Sequence, residues 1–207
     1  MEERKNNKAI IIGKIVSDFS FNHQQFGERF YKAKIAVKRL SGVDDTISFV
    51  ISEHLIHSDV NYLDQTVKLV GQFCSYNYYK RKKRCVKLFL LVEKLSFLNF
   101  EERINTTNKL FLDGVLCKKP VYRKTPLGRE ITDLLLVVNN SGKSDYIPCI
   151  VWGRNARYVT DFKIGKHLSI WGRIQSREYT KKYGSEEKKK IVYEVSVNKL
   201  EEPNKES

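Results

Sequence analysis

The sequence predicts an all-β chain made of two tandem copies of one small five-stranded Greek-key barrel, each with a short helix between its third and fourth strands. Shifted against itself by 101 positions, it lays Asn7-Lys8 on Asn108-Lys109, Gly13 on Gly114, Gly27 on Gly128 and Gly71 on Gly172. The same shift lays the apolar set Ala33, Ile35, Val37 on Leu134, Leu136, Val138, and Val67, Leu69, Phe73 on Leu168, Ile170, Ile174, and it still pairs Ser75 with Ser176 and Tyr78 with Tyr179. Self-similarity held over that length marks a duplicated unit. Within each copy apolar residues recur with a period of two, the mark of strands that bury one face and leave the other free.

The elements follow in order. The first copy, residues 1–99, is expected to form strands at 8–16, 30–39, 46–52, 67–78 and 86–98, with a helical stretch at 54–64. A linker at 100–107 reaches roughly 30 Å when extended, enough to set two barrels side by side. The second copy, residues 108–202, repeats the set with strands at 109–116, 130–139, 145–152, 167–179 and 191–200 and a helix at 155–161, and residues 203–207 form a short tail. Five strands with one helix between the third and fourth is the element order of an OB-fold. Gly13, Gly71, Gly114 and Gly172 fit the places where a strand must bend sharply to close so small a barrel.

Alternation assigns the faces. In the fourth strand of copy two, Leu168, Ile170 and Ile174 point inward and Trp171, Arg173, Gln175, Arg177 and Tyr179 outward. In its third strand Ile147, Cys149 and Val151 point inward, with Tyr146, Pro148, Ile150 and Trp152 outward. Copy one differs: its third strand offers Thr46, Ser48, Val50 and Ser52, while its second strand shows Lys32, Lys34 and Lys38. Its last hairpin carries Lys80, Arg81, Lys82, Lys83 and Arg84 in a row, led by Tyr76 and Tyr78, and the matching hairpin of copy two carries Lys181 and Lys182. Flat rings among cations suit an unpaired nucleic-acid strand, whose bases stack and whose phosphates attract positive charge. The same rings also suit a subunit interface, and Trp171 fits either use.

Charge and composition narrow the function. The 207 residues hold 38 Lys and Arg against 24 Asp and Glu, a net charge of +14 that favours a polyanionic partner. At 41% hydrophobic and 12% aromatic, the chain is too apolar to be a disordered basic tail. No apolar run could span a bilayer and MEERKNNK lacks a signal core, so a cytoplasmic protein without membrane contact is expected. Cys74, Cys85, Cys117 and Cys149 form no CxxC pair and are expected to be reduced, and His54 and His57 share a helix face with no third ligand. No phosphate-cradling loop, nucleophile elbow or catalytic carboxylate pair is present, and the free faces show Asp133 and little else acidic. The expectation is therefore a binding protein, with no enzyme activity, cofactor or metal.

Three segments carry a resemblance: NKLFLDGVLCKKPVYRKTPLGREITDLLLVVNN, DYIPCIVWGRNARYV and GRIQSREY. Across nearly all of copy two they resemble the bacterial single-stranded DNA-binding protein family. The resemblance implies an OB-fold that wraps single-stranded DNA without sequence specificity, within an assembly presenting four OB-folds, in replication, recombination or repair. It places Tyr146, Trp152 and Tyr179 at stacking positions, with Arg173 and Arg177 on the same ribbon. Copy one is similar through NKAIIIGKI and GQFCSYNY, where Tyr78 keeps a stacking position. Most members carry one OB-fold per chain; this one resembles the tandem members, so a homodimer is implied. The acidic tail with an apolar tip by which members recruit other proteins has no counterpart in EEPNKES. Two alternatives stay open: an accessory OB protein of replication restart or a mobile element, and an RNA-binding OB module.

Overall fold

The computed structural model describes residues 6–39, 42–57, 59–80, 83–98, 107–140, 142–183 and 186–203; at 80, 83–84, 178–183 and 186–190 it describes the backbone alone. Thr107 opens the second half's first strand, and the expected linker and tail otherwise lie outside the described residues, Pro203 apart. The first half contains β1 (Asn7–Ile15), β2 (Ser20–Gln25), β3 (Glu28–Lys38), β4 (Asp44–Ser52), β5 (Thr66–Lys80) and β6 (Lys83–Phe97). The second repeats this with β7 (Thr107–Leu116), β8 (Val121–Lys124), β9 (Glu130–Asn140), β10 (Lys143–Trp152), β11 (His167–Tyr183) and β12 (Glu186–Glu201), plus one helix, α1 (Gly153–Val159).

The five expected strands stand in each half. The additional strands β2 and β8 pair with β3 and β9 to extend each barrel by a hairpin. Neither was legible, because SFNHQQ and VYRK bury no residue and show no apolar alternation. Closure works alike in both halves. β1 pairs with β5 along Ala9–Lys14 and with β3 at Lys14 and Ile15, and β4 meets β6 in parallel at Phe49–Leu90 and Val50–Leu91. β7 pairs with β11 and β9, and β10 meets β12 in parallel at Cys149–Val195 and Ile150–Ser196. Inside lie the alternating residues the sequence marks, among them Ala33, Ile35, Val37, Leu69 and Phe73, with Leu134, Leu136, Val138, Ile170 and Ile174 in the second half.

The four glycines sit where strands cross most closely. A Cβ on Gly114 would lie 2.5 Å from the Val137 carbonyl oxygen, and one on Gly13, Gly71 or Gly172 would strike the carbonyl of Ala36, Leu91 or Ser196. Gly71 and Gly172 also follow register shifts that turn β5 and β11. Two asparagines hold the same strands: Asn7 donates from Nδ2 to the Phe73 carbonyl and accepts from its N–H, both at 2.9 Å. Asn108 does the same for Ile174 at 2.7 and 2.9 Å.

One expected helix is corrected. Among the described residues of 54–64 the structure has a single 3-10 turn, Glu53–Leu55, so His54 and His57 share no helix face. The segment plugs the barrel with a ring instead. Tyr62 is buried against Phe19 and Phe97, and its hydroxyl accepts from the His57 N–H at 3.0 Å. In the second half Ala156 and Val159 of α1 are the buried residues of that connection.

The halves join edge to edge. β1 and β7 pair antiparallel with Ala9 opposite Leu110, its own counterpart in the repeat, so a pseudo-two-fold axis passes between them. One sheet of twelve strands results. No helix among the described residues is long and apolar enough to cross a membrane.

Candidate nucleic-acid interface

Each half sends its last hairpin across the other, and two buried carboxylates hold the crossing. Asp145 of β10 accepts from the N–H and hydroxyl of Ser75 on β5 at 2.6 and 3.2 Å, and Ser75 Oγ accepts from the Tyr146 N–H at 2.9 Å. Symmetrically, Asp45 of β4 accepts from the N–H and hydroxyl of Ser176 on β11 at 2.7 and 3.3 Å, and Ser176 Oγ accepts from the Thr46 N–H at 3.1 Å. A buried carboxylate is tolerable only when donors and cations surround it. Lys143 serves Asp145 at 3.0 Å, and Arg39 and Arg173 serve Asp45.

Between the crossed hairpins runs a groove of about 1210 Å3. Three tyrosines line it: Tyr78 from β5, Tyr146 from β10 and Tyr193 from β12. Lys34, Lys87, Lys118 and Arg177 supply cations, and Val86, Leu135, Pro148, Ile191 and Val192 supply apolar surface. Tyr193 is held by its hydroxyl, which accepts from the Ser48 N–H at 3.2 Å and lies 3.0 Å from Ser48 Oγ. Glu194 also lines the groove, 3.8 Å from Arg177. Burial raises its pKa above the usual carboxylate value, Asp133 raises it further, and Arg177, Arg123 and Arg39 oppose the shift. Rings for stacking beside cations for phosphates are what an unpaired strand requires, each stacked base contributing about 1–3 kcal/mol.

The predicted residues divide accordingly. Tyr146, Tyr78, Arg177 and Lys34 meet in the groove, and Lys32 lines a smaller cavity beside it. Tyr76 is exposed next to Lys87 in the ladder. Trp152 is partly buried, its indole N–H donating to Ser196 Oγ at 3.1 Å, and it does not line the groove. Trp171 lies against Phe111 at 5.0 Å, with the Lys199 ammonium 4.7 Å above its ring. Arg173 donates to Asp45 at 3.2 Å and to Gln175 at 3.1 Å, so its charge joins the two halves. The backbones of Lys80, Lys83 and Arg84 and of Tyr179, Lys181 and Lys182 run in the two hairpin ladders. Their side chains, and all of Arg81 and Lys82, lie outside the described residues.

Three outward assignments are corrected: Ser52, whose hydroxyl donates to Glu28, is 8% exposed. Val50 and Ile150 are each 4% exposed. They sit where β4 and β10 meet the parallel strand that closes the barrel, and alternation along one strand does not register that curvature. Sequence reasoning missed Tyr193, Lys87 and Lys118. Tyr193 shares the parity of the buried Val195 and Val197, which marks it as interior. Beyond the barrel that inward face turns toward the other half, and no local pattern reports it.

Residues 107–202 match the Single-strand binding protein family. The chain is 34% identical over 108 residues to a single-stranded DNA-binding protein of Clostridium tetani, a match covering 48% of this chain and 74% of that one. It is 35% identical over 105 residues to single-stranded DNA-binding protein A of Bacillus subtilis, covering 47% of this chain and 61% of the relative. The crystal structure of the wild-type single-stranded DNA binding protein from Thermus aquaticus superposes with a TM-score of 0.77 over 97% of this chain and 94% of that one, at 18% identity. Both barrels therefore have a counterpart fold there.

Proposed function

Because the chain belongs to the single-strand binding protein family, we propose that it binds unpaired DNA in the groove between its two barrels, without reading base sequence, during replication, recombination or repair. The observation that carries this is the meeting of Tyr78, Tyr146 and Tyr193 with Lys34, Lys87, Lys118 and Arg177 in one groove. Rings offer every base the same flat contact, and cations follow a backbone that is alike at every step. Both halves supply the lining, so the groove belongs to the whole chain rather than to either barrel.

The role is binding without catalysis, in the cytoplasm at the nucleoid. The working assembly is a homodimer presenting four OB-folds, with residues 1–99 and 108–202 as its repeated domains. The outer face of the central strands supports that assembly: Ile10 and Ile12 on β1, Val70 on β5, and Phe111 and Trp171 on β7 and β11 remain only partly covered there. Apolar and aromatic surface of this kind suits a second copy.

Sedimentation of the protein with oligo(dT) across a salt series tests both statements. Neutralising about five phosphates gives a slope near −3.5, so a fourfold rise in salt is expected to weaken binding roughly a hundredfold. The free protein is expected at twice the chain mass. A flat salt response would refute the groove as a phosphate track, and a monomer at all concentrations would refute the dimer.

A further inference from the structure

The N-terminal half carries a second aromatic and cationic surface that the groove does not include. It lies on the β2–β3 hairpin. His23 and Phe30, paired across the ladder, stack with ring centroids 4.8 Å apart and planes inclined by 7°. At the tip Phe26 is 99% exposed and holds a φ of 50°. That left-handed position suits glycine or asparagine, and a bulky ring there is disfavoured unless it has a use. On the same face of β3 as Phe30, Lys32 and Lys34 are exposed, and with Lys87 they outnumber the single carboxylate, Asp18, in a cavity of about 220 Å3 that also holds Ser17, Ser20 and Phe89. Among the described residues none of these three lysines is in an ion pair. This cavity and the main groove share Lys34, Ser48 and Lys87, so one cationic track is continuous from the groove to the hairpin.

Among the described residues, the matching β8–β9 hairpin of the second half carries no stacked pair of rings. The repeat places Ile131 where Phe30 stands, Asp133 where Lys32 stands and Leu135 where Lys34 stands. Asp133 is tied to Arg123 at 2.6 Å, and on the same hairpin Glu130 accepts from Tyr122 at 2.6 Å and from Arg157 at 2.7 Å. Its two carboxylates are each paired with an arginine. The hairpin of the first half holds unmatched cations and uncovered rings, which an external polyanion with flat groups would satisfy.

We infer that the β2–β3 hairpin of the N-terminal half is a second subsite for the same unpaired strand, reached only when the strand is long enough to leave the groove. Lys32, Lys34 and Lys87 carry the phosphates out of the groove, and His23, Phe30 and Phe26 receive bases beyond it. The inference rests on the groove reading above and adds a polarity to the molecule: the strand exits over the first barrel, not the second.

The test compares oligo(dT) of about 8 nucleotides, which fits within one OB-fold, with oligo(dT) of about 30 nucleotides, which exceeds it. The double variant His23→Ala/Phe30→Ala is expected to lose roughly tenfold or more in affinity for the long oligomer and less than about twofold for the short one. Phe26→Asn guards against misfolding. It puts a residue suited to the left-handed turn in a fully exposed place, so the melting temperature is expected to hold or rise while binding of the long oligomer weakens. Equal losses on both lengths, or no loss on the long one in either variant, would overturn the subsite while leaving the groove intact. If the unaltered protein bound neither oligomer, the groove reading itself would fall, and the subsite with it.

Discussion

Glu194 sits in the groove among cations, rings and apolar side chains, and its environment makes it a titrating brake. Burial disfavours its charged form, so the folded protein holds a proton there more tightly than the unfolded chain. The ionised group therefore costs stability above its folded-state pKa, and that cost disappears as pH falls through it. Binding follows the same sign: ionised Glu194 repels phosphate and neutral Glu194 does not. Glu194→Gln is expected to bind oligo(dT) roughly threefold to tenfold more tightly at pH 7, with the difference from the unaltered protein closing as pH falls through the raised pKa. A difference that is absent at pH 7, or that widens in acid, would contradict the assignment. At this scale the sequence was partly legible. Alternation exposed Tyr146, Tyr78 and Lys34 because each lies on a strand whose other face is core. It failed at Tyr193, whose face is interior within the barrel and becomes the groove wall beyond it.

At the scale of elements, both halves depend on a strand turned at a glycine and clamped by an asparagine. Gly71 and Gly172 lie against the carbonyls of Leu91 and Ser196, at the register shifts in the β5–β6 and β11–β12 ladders. Gly71→Ala and Gly172→Ala should each lower stability by about 1–3 kcal/mol in urea unfolding, because backbone, unlike a side chain, cannot swing aside. Unchanged midpoints would show that the strands have slack there. The ten barrel strands were legible because each alternates against a core. β2 and β8 were not, since they are held by backbone ladders alone, and neither was the lost helix of the first half. Over 54–64 Ile56, Val60 and Leu63 keep the spacing of a helix, yet Tyr62, buried against Phe19 and Phe97, fixes the segment by one ring.

At the scale of the whole molecule, duplication within one chain makes a self-complementary interface and then frees its two sides to diverge. The pairs Asp45–Ser176 and Asp145–Ser75 keep the symmetry of the joint. The outward faces do not keep it: in the third barrel strands, which align Asp145 with Asp45, Tyr146 stands where Thr46 stands in the first half, and the first half carries the exposed lysines of β3. The repeat was plain in the sequence, but the groove was not, because it exists only after the halves cross. Separate barrels would each lose a wall of it. Photocrosslinking a short oligo(dT) to the intact protein and mapping the adducts measures the path of the strand directly. The groove predicts adducts on Tyr78, Tyr146 and Tyr193, from both halves in one complex; adducts confined to Trp171 and Phe111 on the outer sheet, with those three tyrosines untouched, would contradict it.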